Sequence, residues 1–459
     1  MSFTLHPKKL FFLIVLISIH SLISAQCFSK IAAGHYCTFA LGSDGSLWAW
    51  GEGNLGSNTV NSSSTPIRIG TDTNWAKIYS GYFHSFAIKT DGTLWAWGQN
   101  DYGQLGVTPF LPEAINQVGT ANDWVQIAVG KDSHTLGLKN NGTLWAWGNN
   151  NFGELGDGTT DSKNTPIQIG TGADWVQISA GGSHSAAIKT DGTLWTWGRN
   201  GYGQLGNGTT NDKLVPTQVG TLNTWAKVSA GENYTLAIKT DGTMWSWGID
   251  NFYQLGNGSQ LGTASPIQIG TDTDWSNFAS EMAHNLATKT NGTLWGWGLG
   301  NYGQLANGFN YSRSFPYQIG SDTNWGDITV GYFHSVALKN DGSLWAWGYD
   351  YFGAVGDGVT IDNWDTTNIA CPYLATDDFT TSKTLVKVYP NPASSTITIE
   401  TDQNIIQKIE LYDLQGRLLY SKDGGTNQII LSVSALTNSS YLLKSYTEKE
   451  VQTTKIIKH

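Results

Sequence analysis

Apolar and polar residues alternate in short runs along most of the chain, and the runs are broken by Asp-Gly or Asn-Gly pairs. One stretch shows the grammar. Trp175-Val176-Gln177-Ile178-Ser179 alternates, as does His184-Ser185-Ala186-Ala187-Ile188-Lys189. Asp191-Gly192 follows, then Leu194-Trp195-Thr196-Trp197. A period of two predicts strands whose side chains point to opposite faces. Asp-Gly between two such runs predicts a tight hairpin with positive φ at both turn residues. After the Gly-rich Gly201-Tyr202-Gly203-Gln204-Leu205-Gly206, a fourth strand is expected over residues 216–219.

The pattern repeats. The Asp/Asn-Gly pair begins at Asp44, Asp91, Asn141, Asp191, Asp241, Asn291 and Asp341, in steps of 47 and then five times 50 residues. A fixed period of this length marks a repeat architecture. Four short antiparallel strands per unit, seven times over, predict an all-β, seven-bladed β-propeller.

Each unit carries Trp-x-Trp, as in Trp95/Trp97, Trp145/Trp147, Trp195/Trp197 and Trp345/Trp347. Strand alternation puts both rings on one sheet face. A further Trp (75, 124, 175, 225, 275, 325) opens the first strand of units two to seven, with Phe28 in that place in unit one. A buried aromatic ring covers roughly 150–250 Å², worth roughly 4–6 kcal/mol gross as an upper bound. Identical rings in identical places suit blade-on-blade packing. A ligand site needs one or two.

Composition agrees with a turn-rich β protein: of 459 residues, 55 are Gly and 21 Trp, and only 14% are charged. The net charge is −10. Residues 26–376 hold 15 Lys/Arg against 27 Asp/Glu, whereas residues 377–459 hold 9 of each. An acidic propeller argues against a nucleic-acid partner, whose phosphates need a Lys/Arg surface. At the start, Lys8-Lys9, an apolar run over 10–17 and Ile23-Ser24-Ala25 read as a signal peptide, residues 1–25, cut before Gln26. A lipid anchor on Cys27 is disfavoured by Gln26, where a small residue is wanted. No other apolar run is long enough to span a membrane.

The phrase Gly-x-x-His-Ser-x-Ala-Ile-Lys-Thr-Asp-Gly-Thr-Leu-Trp-Ala-Trp-Gly, followed by Asn-x-x-Gly-Gln-Leu-Gly, resembles the regulator of chromosome condensation repeat over residues 27–372. The resemblance implies a seven-bladed propeller and no single function. Its relatives include a nucleotide exchange factor that binds a small GTPase and chromatin, and a secreted β-lactamase inhibitor. Unit one departs from the pattern with a shortened loop, Glu52-Gly53-Asn54-Leu55-Gly56. Unit seven departs with Phe352-Gly353-Ala354-Val355-Gly356 and Asn363-Trp364-Asp365.

Beyond residue 376 tryptophan disappears. Residues 377–385 read as a polar linker, and 386–459 as alternating strands that form a small β-sandwich. Tyr389-Pro390-Asn391-Pro392, Leu411-Tyr412-Asp413 with Gly416-Arg417, Tyr441-Leu442-Leu443-Lys444 and Lys455-Ile456-Ile457-Lys458 resemble the type A sorting domain of the type IX secretion system. This resemblance implies contact with the secretion machinery and export across two membranes, to the cell surface or the medium.

His84, His134, His184, His284 and His334 share one slot, seven residues before the turn pair, with Cys37 and Tyr234 in units one and five. A shared metal would need every nitrogen about 2 Å from one ion. Seven blades around an open axis cannot converge so closely, so these histidines are expected to be structural. The residues just before the slot vary. Tyr82 and Phe83, Tyr332 and Phe333, and His35 and Tyr36 fall on units two, seven and one, neighbours in a closed ring. They form the candidate partner-binding patch, since exposed aromatics at loop tips suit contact with a protein or glycan. Turn acids such as Asp91 and Asp191 lack calcium-ligand spacing. No metal, cofactor or catalytic constellation stands out. Of the three cysteines, Cys27 and Cys371 lie at the propeller's two ends, which closure brings together. Cys27–Cys371 is the expected disulfide, with Cys37 buried in the histidine slot. The reading is an exported interaction module. An enzyme or enzyme inhibitor using the face or channel is the alternative, and export leaves nucleotide exchange without a GTPase to serve.

Overall fold

The computed structural model describes residues 27–57, 59–108, 115–131, 133–371, 386–401, 405–413, 417–447 and 451–458. The expected signal peptide and linker lie outside these residues. The described residues contain strands and turns and no helix. They form two compact units, divided after Cys371.

The first unit is a ring of seven four-stranded antiparallel sheets, each built from four consecutive strands of one repeat. In the fourth blade these are Trp175–Ala180, His184–Lys189, Leu194–Gly198 and Lys213–Gln218. The last begins three residues before the expected position. The first strands line the axis, where Ile31, Ile78, Ile127, Ile178 and Ile328 surround a narrow cavity of about 260 Å³.

The hairpin differs from expectation. Gly192 has φ of 79°, but Asp191 is not in the left-handed region. Gly192 N donates to Lys189 O at 2.9 Å. Asp191 Oδ1 accepts from Thr193 N at 3.0 Å and from Thr193 Oγ1 at 2.7 Å. The aspartate therefore caps an ordinary turn with its side chain, and only the glycine needs positive φ. This also explains why Asn141 and Asn291 serve equally well: each offers the same oxygen to Thr143 and Thr293.

The sequence pattern treats the two rings of each Trp-x-Trp pair alike, and the structure separates them. The first ring, at Trp95, Trp145, Trp195 and Trp345, is only half-buried. Trp195 donates its indole N–H to Thr193 Oγ1 at 2.9 Å and lies under the Lys189 ammonium, 4.8 Å from the ring centre. The same two contacts recur at Trp95, Trp145 and Trp345. The first ring thus covers a turn and a lysine, and the expectation that both rings pack blade on blade is corrected for it. The second ring, at Trp97, Trp147, Trp197 and Trp347, is fully buried and does the packing between blades. Trp147 sits between Trp124 of its own blade, at 5.8 Å, and Phe86 of the preceding one, at 5.9 Å. Trp197 packs against Trp175, and Trp347 against Trp325 at 6.5 Å. The Trp147 indole N–H donates to Gln104 O at 2.8 Å, and that of Trp347 to Gln304 O at 2.9 Å. In blades one, four, five and six the second indole likewise reaches a loop carbonyl of the preceding blade.

Among the described residues no strand is exchanged between the first and last blades, so the ring is not closed by sheet pairing. Elsewhere a short connection, such as residues 70–74, links one blade's outer strand to the next blade's inner strand. At the seventh junction Cys27 and Cys371 are joined, with Cα atoms 5.8 Å apart. Phe28, Trp50, Val336 and Leu344 pack around them. Cys37 is free and buried, and burial pushes its thiol up to about 12.

The second unit packs two antiparallel sheets face to face. One holds Val386–Tyr389, Thr396–Thr401 and Gln428–Ser432; the other holds Leu418–Thr426, Ile406–Tyr412, Ser440–Thr447 and Val451–Ile457. Ile397, Ile399, Ile409, Leu411, Leu443 and Ile456 form its core. Arg417 N and Nε each donate to the Asp413 carboxylate at 2.9 Å, and Gly416, expected in the turn between them, lies outside the described residues. Among the described residues no helix is long and apolar enough to cross a membrane.

Candidate functional site

A relay of hydrogen bonds joins successive blades, and it determines where a cavity can open. At the junction of blades three and four, the Glu154 carbonyl accepts from the Trp197 indole at 2.9 Å and from Ser185 Oγ at 2.7 Å. Because Ser185 spends its proton there, its oxygen accepts from His134 Nε2 at 3.1 Å. The same three-part contact links His84 to Thr135, His184 to Thr235, His284 to Ser335 and His334 to Thr38, at 2.9–3.2 Å. Trp147, Trp247, Trp347 and Trp50 supply the indole at these four junctions. In blade five Tyr234 substitutes, donating to Asn285 Oδ1 at 2.8 Å. The histidines are thus neutral donors through Nε2. Burial depresses each of the five to about 3. They are structural links in separate junctions, and no two share a ligand position.

Blade one cannot supply the relay to blade two. Its loop is three residues shorter, which removes the turn that presents the accepting carbonyl elsewhere, and Cys37 replaces the histidine. Among the described residues the Trp97 indole N–H consequently has no partner, and Ser85 pairs with Ser80 Oγ at 2.9 Å. The vacated space is a cavity of about 540 Å³, whose wall includes His35, Tyr36, Tyr82, Phe83, Glu52 and Asp101.

The six residues of the expected patch come together. The His35 ring stacks on Tyr36 with centres 3.9 Å apart and on Tyr82 at 5.0 Å, and meets Phe83 and Tyr332 edge-on at 5.1 and 4.2 Å. Tyr332 contacts Phe333 at 4.3 Å. Most of these rings are half-buried, tucked against one another, while Phe83 is 45% exposed. Both His35 ring nitrogens lack a partner among the described residues, and burial lowers this imidazole to about 4.

The cluster is wider than the sequence suggested. Phe352 packs on Tyr36 at 4.3 Å and Tyr302 on Phe333 at 4.5 Å, while Tyr349 stacks with Tyr351 at 6.4 Å. Tyr302 and Phe352 occupy a loop place that is aromatic in units two to seven, so periodicity marks them as scaffold. Tyr349 and Tyr351 are peculiar to unit seven, and that departure is the signal that could have singled them out.

One residue earlier in the same loops the ring carries glycine, at Gly34, Gly81, Gly181, Gly231 and Gly331. Blades three and six carry Lys131 and Glu281 instead. These two pair with each other, and both are buried. Burial raises the Glu281 carboxyl to about 7 against the pull of Lys131.

With this geometry in place, comparison with known families is informative. The family model described as RCC1-like domain matches residues 15–277. The chain belongs to the RCC1-like domain family. Models of the regulator of chromosome condensation (RCC1) repeat match residues 291–338 and 327–354. Residues 387–459 match the secretion system C-terminal sorting domain, which supports export through the type IX system to the cell surface or extracellular space. Among solved structures, yeast RCC1 (Prp20) bound to Kap60 aligns with TM-score 0.64 and 20% identity, covering 84% of this chain and 93% of that one. Prp20p of Saccharomyces cerevisiae aligns with TM-score 0.65 and 21% identity, over 80% and 90% of the two chains. Human WBSCR16 aligns with TM-score 0.61 and 23% identity, over 68% and 86%. At these identities the likeness concerns the fold. Comparison with curated proteins finds no match.

Proposed function

We propose that this protein is an exported binding module that takes a protein or glycan partner at the aromatic face of blades seven, one and two. The observation that carries the reading is the cavity beside His35. It is walled by stacked rings, lined with Glu52, Gln99, Asn100 and Asp101, and entered past the exposed Phe83. Flat rings beside carboxylate and amide groups match a partner that offers both an apolar face and hydroxyl or amide groups. Among the described residues the cavity wall contains no Lys or Arg, which disfavours phosphorylated and other anionic partners. The sorting domain supports delivery of this face outside the cell.

The competing enzymatic reading calls for an accessible acid at the channel. Of the acids on the loops around the axis, Glu281 is buried and engaged by Lys131, while Glu232 is half-buried, and replacing Glu232 would test this reading.

The test is capture of glycans from a panel, and of envelope proteins, on the immobilised native chain and on a Tyr82→Ala/Tyr332→Ala variant. A partner held by the first and lost by the second supports the reading. A partner retained equally by both moves the site elsewhere. A hydrolysed glycan or peptide in the same mixtures would favour the enzyme.

A further inference from the structure

In blades three, four, five and seven the loop after the third strand is built around one buried side chain. In blade three it is Asn150. Its Oδ1 accepts from Leu155 N at 3.0 Å. Its Nδ2 donates to Asp157 Oδ1 at 3.2 Å and to the carbonyls of Thr159 and Asp161 at 3.1 Å each. Asn200 repeats this in blade four, with Leu205 N at 3.0 Å and Asn207 Oδ1, Thr209 O and Asn211 O at 3.3, 2.9 and 3.0 Å. Three oxygens converge on one amide donor.

Blade seven places Asp350 in this position. Its Oδ1 still accepts from the loop, from Val355 N at 2.8 Å. Its Oδ2 therefore stands where the amide nitrogen stands in blades three and four. A carboxylate oxygen cannot donate. The residue is fully buried, and among the described residues Oδ2 has no partner. Asp357 keeps the position of Asp157, with Oδ1 accepting from Val359 N at 3.0 Å as Asp157 Oδ1 accepts from Thr159 N at 2.9 Å. A third carboxylate, Asp362, accepts from Asp350 N at 3.0 Å. What is an amide among acceptors in blades three and four is here a carboxylate among the corresponding oxygens, with the Asp357 carboxylate one of them.

We propose that this blade-seven loop binds a calcium ion, held by Asp350, Asp357 and the main-chain carbonyls of Val359 and Ile361. Oxygen-only, mixed carboxylate and carbonyl ligation suits a hard cation at about 2.3–2.6 Å, and in blades three and four the corresponding oxygens already gather within 2.9–3.3 Å of one amide nitrogen. Val359 and Ile361 are exposed, so the ion has a way in. Among the described residues no three His, Cys, Asp or Glu side chains group to hold a metal by themselves, so the carbonyls supply part of the donor set. Blade five has a related Asp250, also with an unpartnered Oδ2, but Asn257 replaces the second acid. A proton suffices there, and one ion per chain is expected.

The experiment is calorimetric titration of the chelator-stripped full chain with calcium chloride at neutral pH, with thermal unfolding alongside. Asp350→Asn is the decisive variant, because asparagine already fills this place in blades three and four and the fold should tolerate it. The native chain is expected to bind one calcium and melt at a higher temperature with it. Asp350→Asn should lose calcium affinity by more than the roughly 10–100-fold typical of an outer-shell change. Asp250→Asn should keep the response. No saturable calcium binding by the native chain, or equal responses from the native chain and Asp350→Asn, would overturn the proposal. So would a calcium-silent native chain that gains stability from Asp350→Asn above neutral pH, which would show that a proton fills the cage.

Discussion

Two junctions of the same ring, between blades three and four and between blades one and two, use corresponding positions to opposite ends. In the first, histidine, serine, tryptophan and a loop carbonyl satisfy one another and leave no space. In the second, three missing loop residues and a cysteine in the histidine slot remove the acceptor, leave the Trp97 N–H unpaired among the described residues and open a cavity. A repeat protein can thus make a site by leaving out a piece of scaffold. Nothing need be added except the side chains that line the gap.

The largest effect expected is on pH-dependent stability, because it sums over the intact junctions. Histidines held near 3 when folded stay neutral while the unfolded chain protonates near 6.5, so stability is full above that value and lost as pH falls. Asp250, Asp350 and Glu281, raised to about 6, 7 and 7, keep protons in the folded state and oppose this. With His35, lowered to about 4, six groups against three leave a loss of about 4 kcal/mol per pH unit near pH 5. Denaturant midpoints across pH 4–8 in chelator-treated buffer would measure it, and a flat profile would contradict the neutral-histidine relay.

Replacing both Cys27 and Cys371 with alanine should cost about 2–4 kcal/mol, since the cross-link closes a loop of 344 residues and no exchanged strand among the described residues shares the task. Chemical denaturation without reductant tests this. An unchanged midpoint would mean that the packing around Phe28 and Trp50 closes the ring unaided.

A matched pair sharpens the comparison itself. Trp197→Phe loses an indole hydrogen bond, whereas Trp97→Phe removes an N–H that has no partner. The first should destabilise more than the second by about 1–3 kcal/mol. Trp147→Phe and Trp347→Phe, at two further intact junctions, should follow Trp197→Phe. Equal costs at all four positions would remove the contrast between the junctions.

The smallest effect on stability, within about 1 kcal/mol, should come from restoring the missing piece: inserting Asn-Asp-Tyr between Glu52 and Gly53. The same insertion should fill the cavity and abolish partner capture. A folded insertion variant that still captures the partner would place the binding face away from this junction.

Much of this was legible from the amino acids. The spacing of Asp44 through Asp341 specified seven units, and period-two alternation specified their strands, because strand geometry is local. The tail was readable as a second β domain for the same reason. The adjacency of residues 35–36, 82–83 and 332–333 followed from ring closure alone. Tyr302 and Phe352 were hidden, because an aromatic repeated in six units looks like packing until the gap in unit one is seen beside it. The turn at Asp191 was misjudged because a side-chain cap can replace a second left-handed residue. The division of labour between Trp145 and Trp147, or Trp345 and Trp347, was out of reach for a different reason. Alternation assigns a sheet face, whereas depth in the blade decides which ring meets the neighbour.

The sequence by itself determined the repeat, the count of blades, the hairpins and the acidic character, all of which depend on residues close in the chain or on sums over it. Only the tertiary structure decided which carbonyl each indole reaches, that Lys131 meets Glu281 across two intervening blades, and that three absent residues become a cavity. Those outcomes depend on contacts roughly a blade or more apart in sequence, whose geometry exists only once the blades are packed side by side.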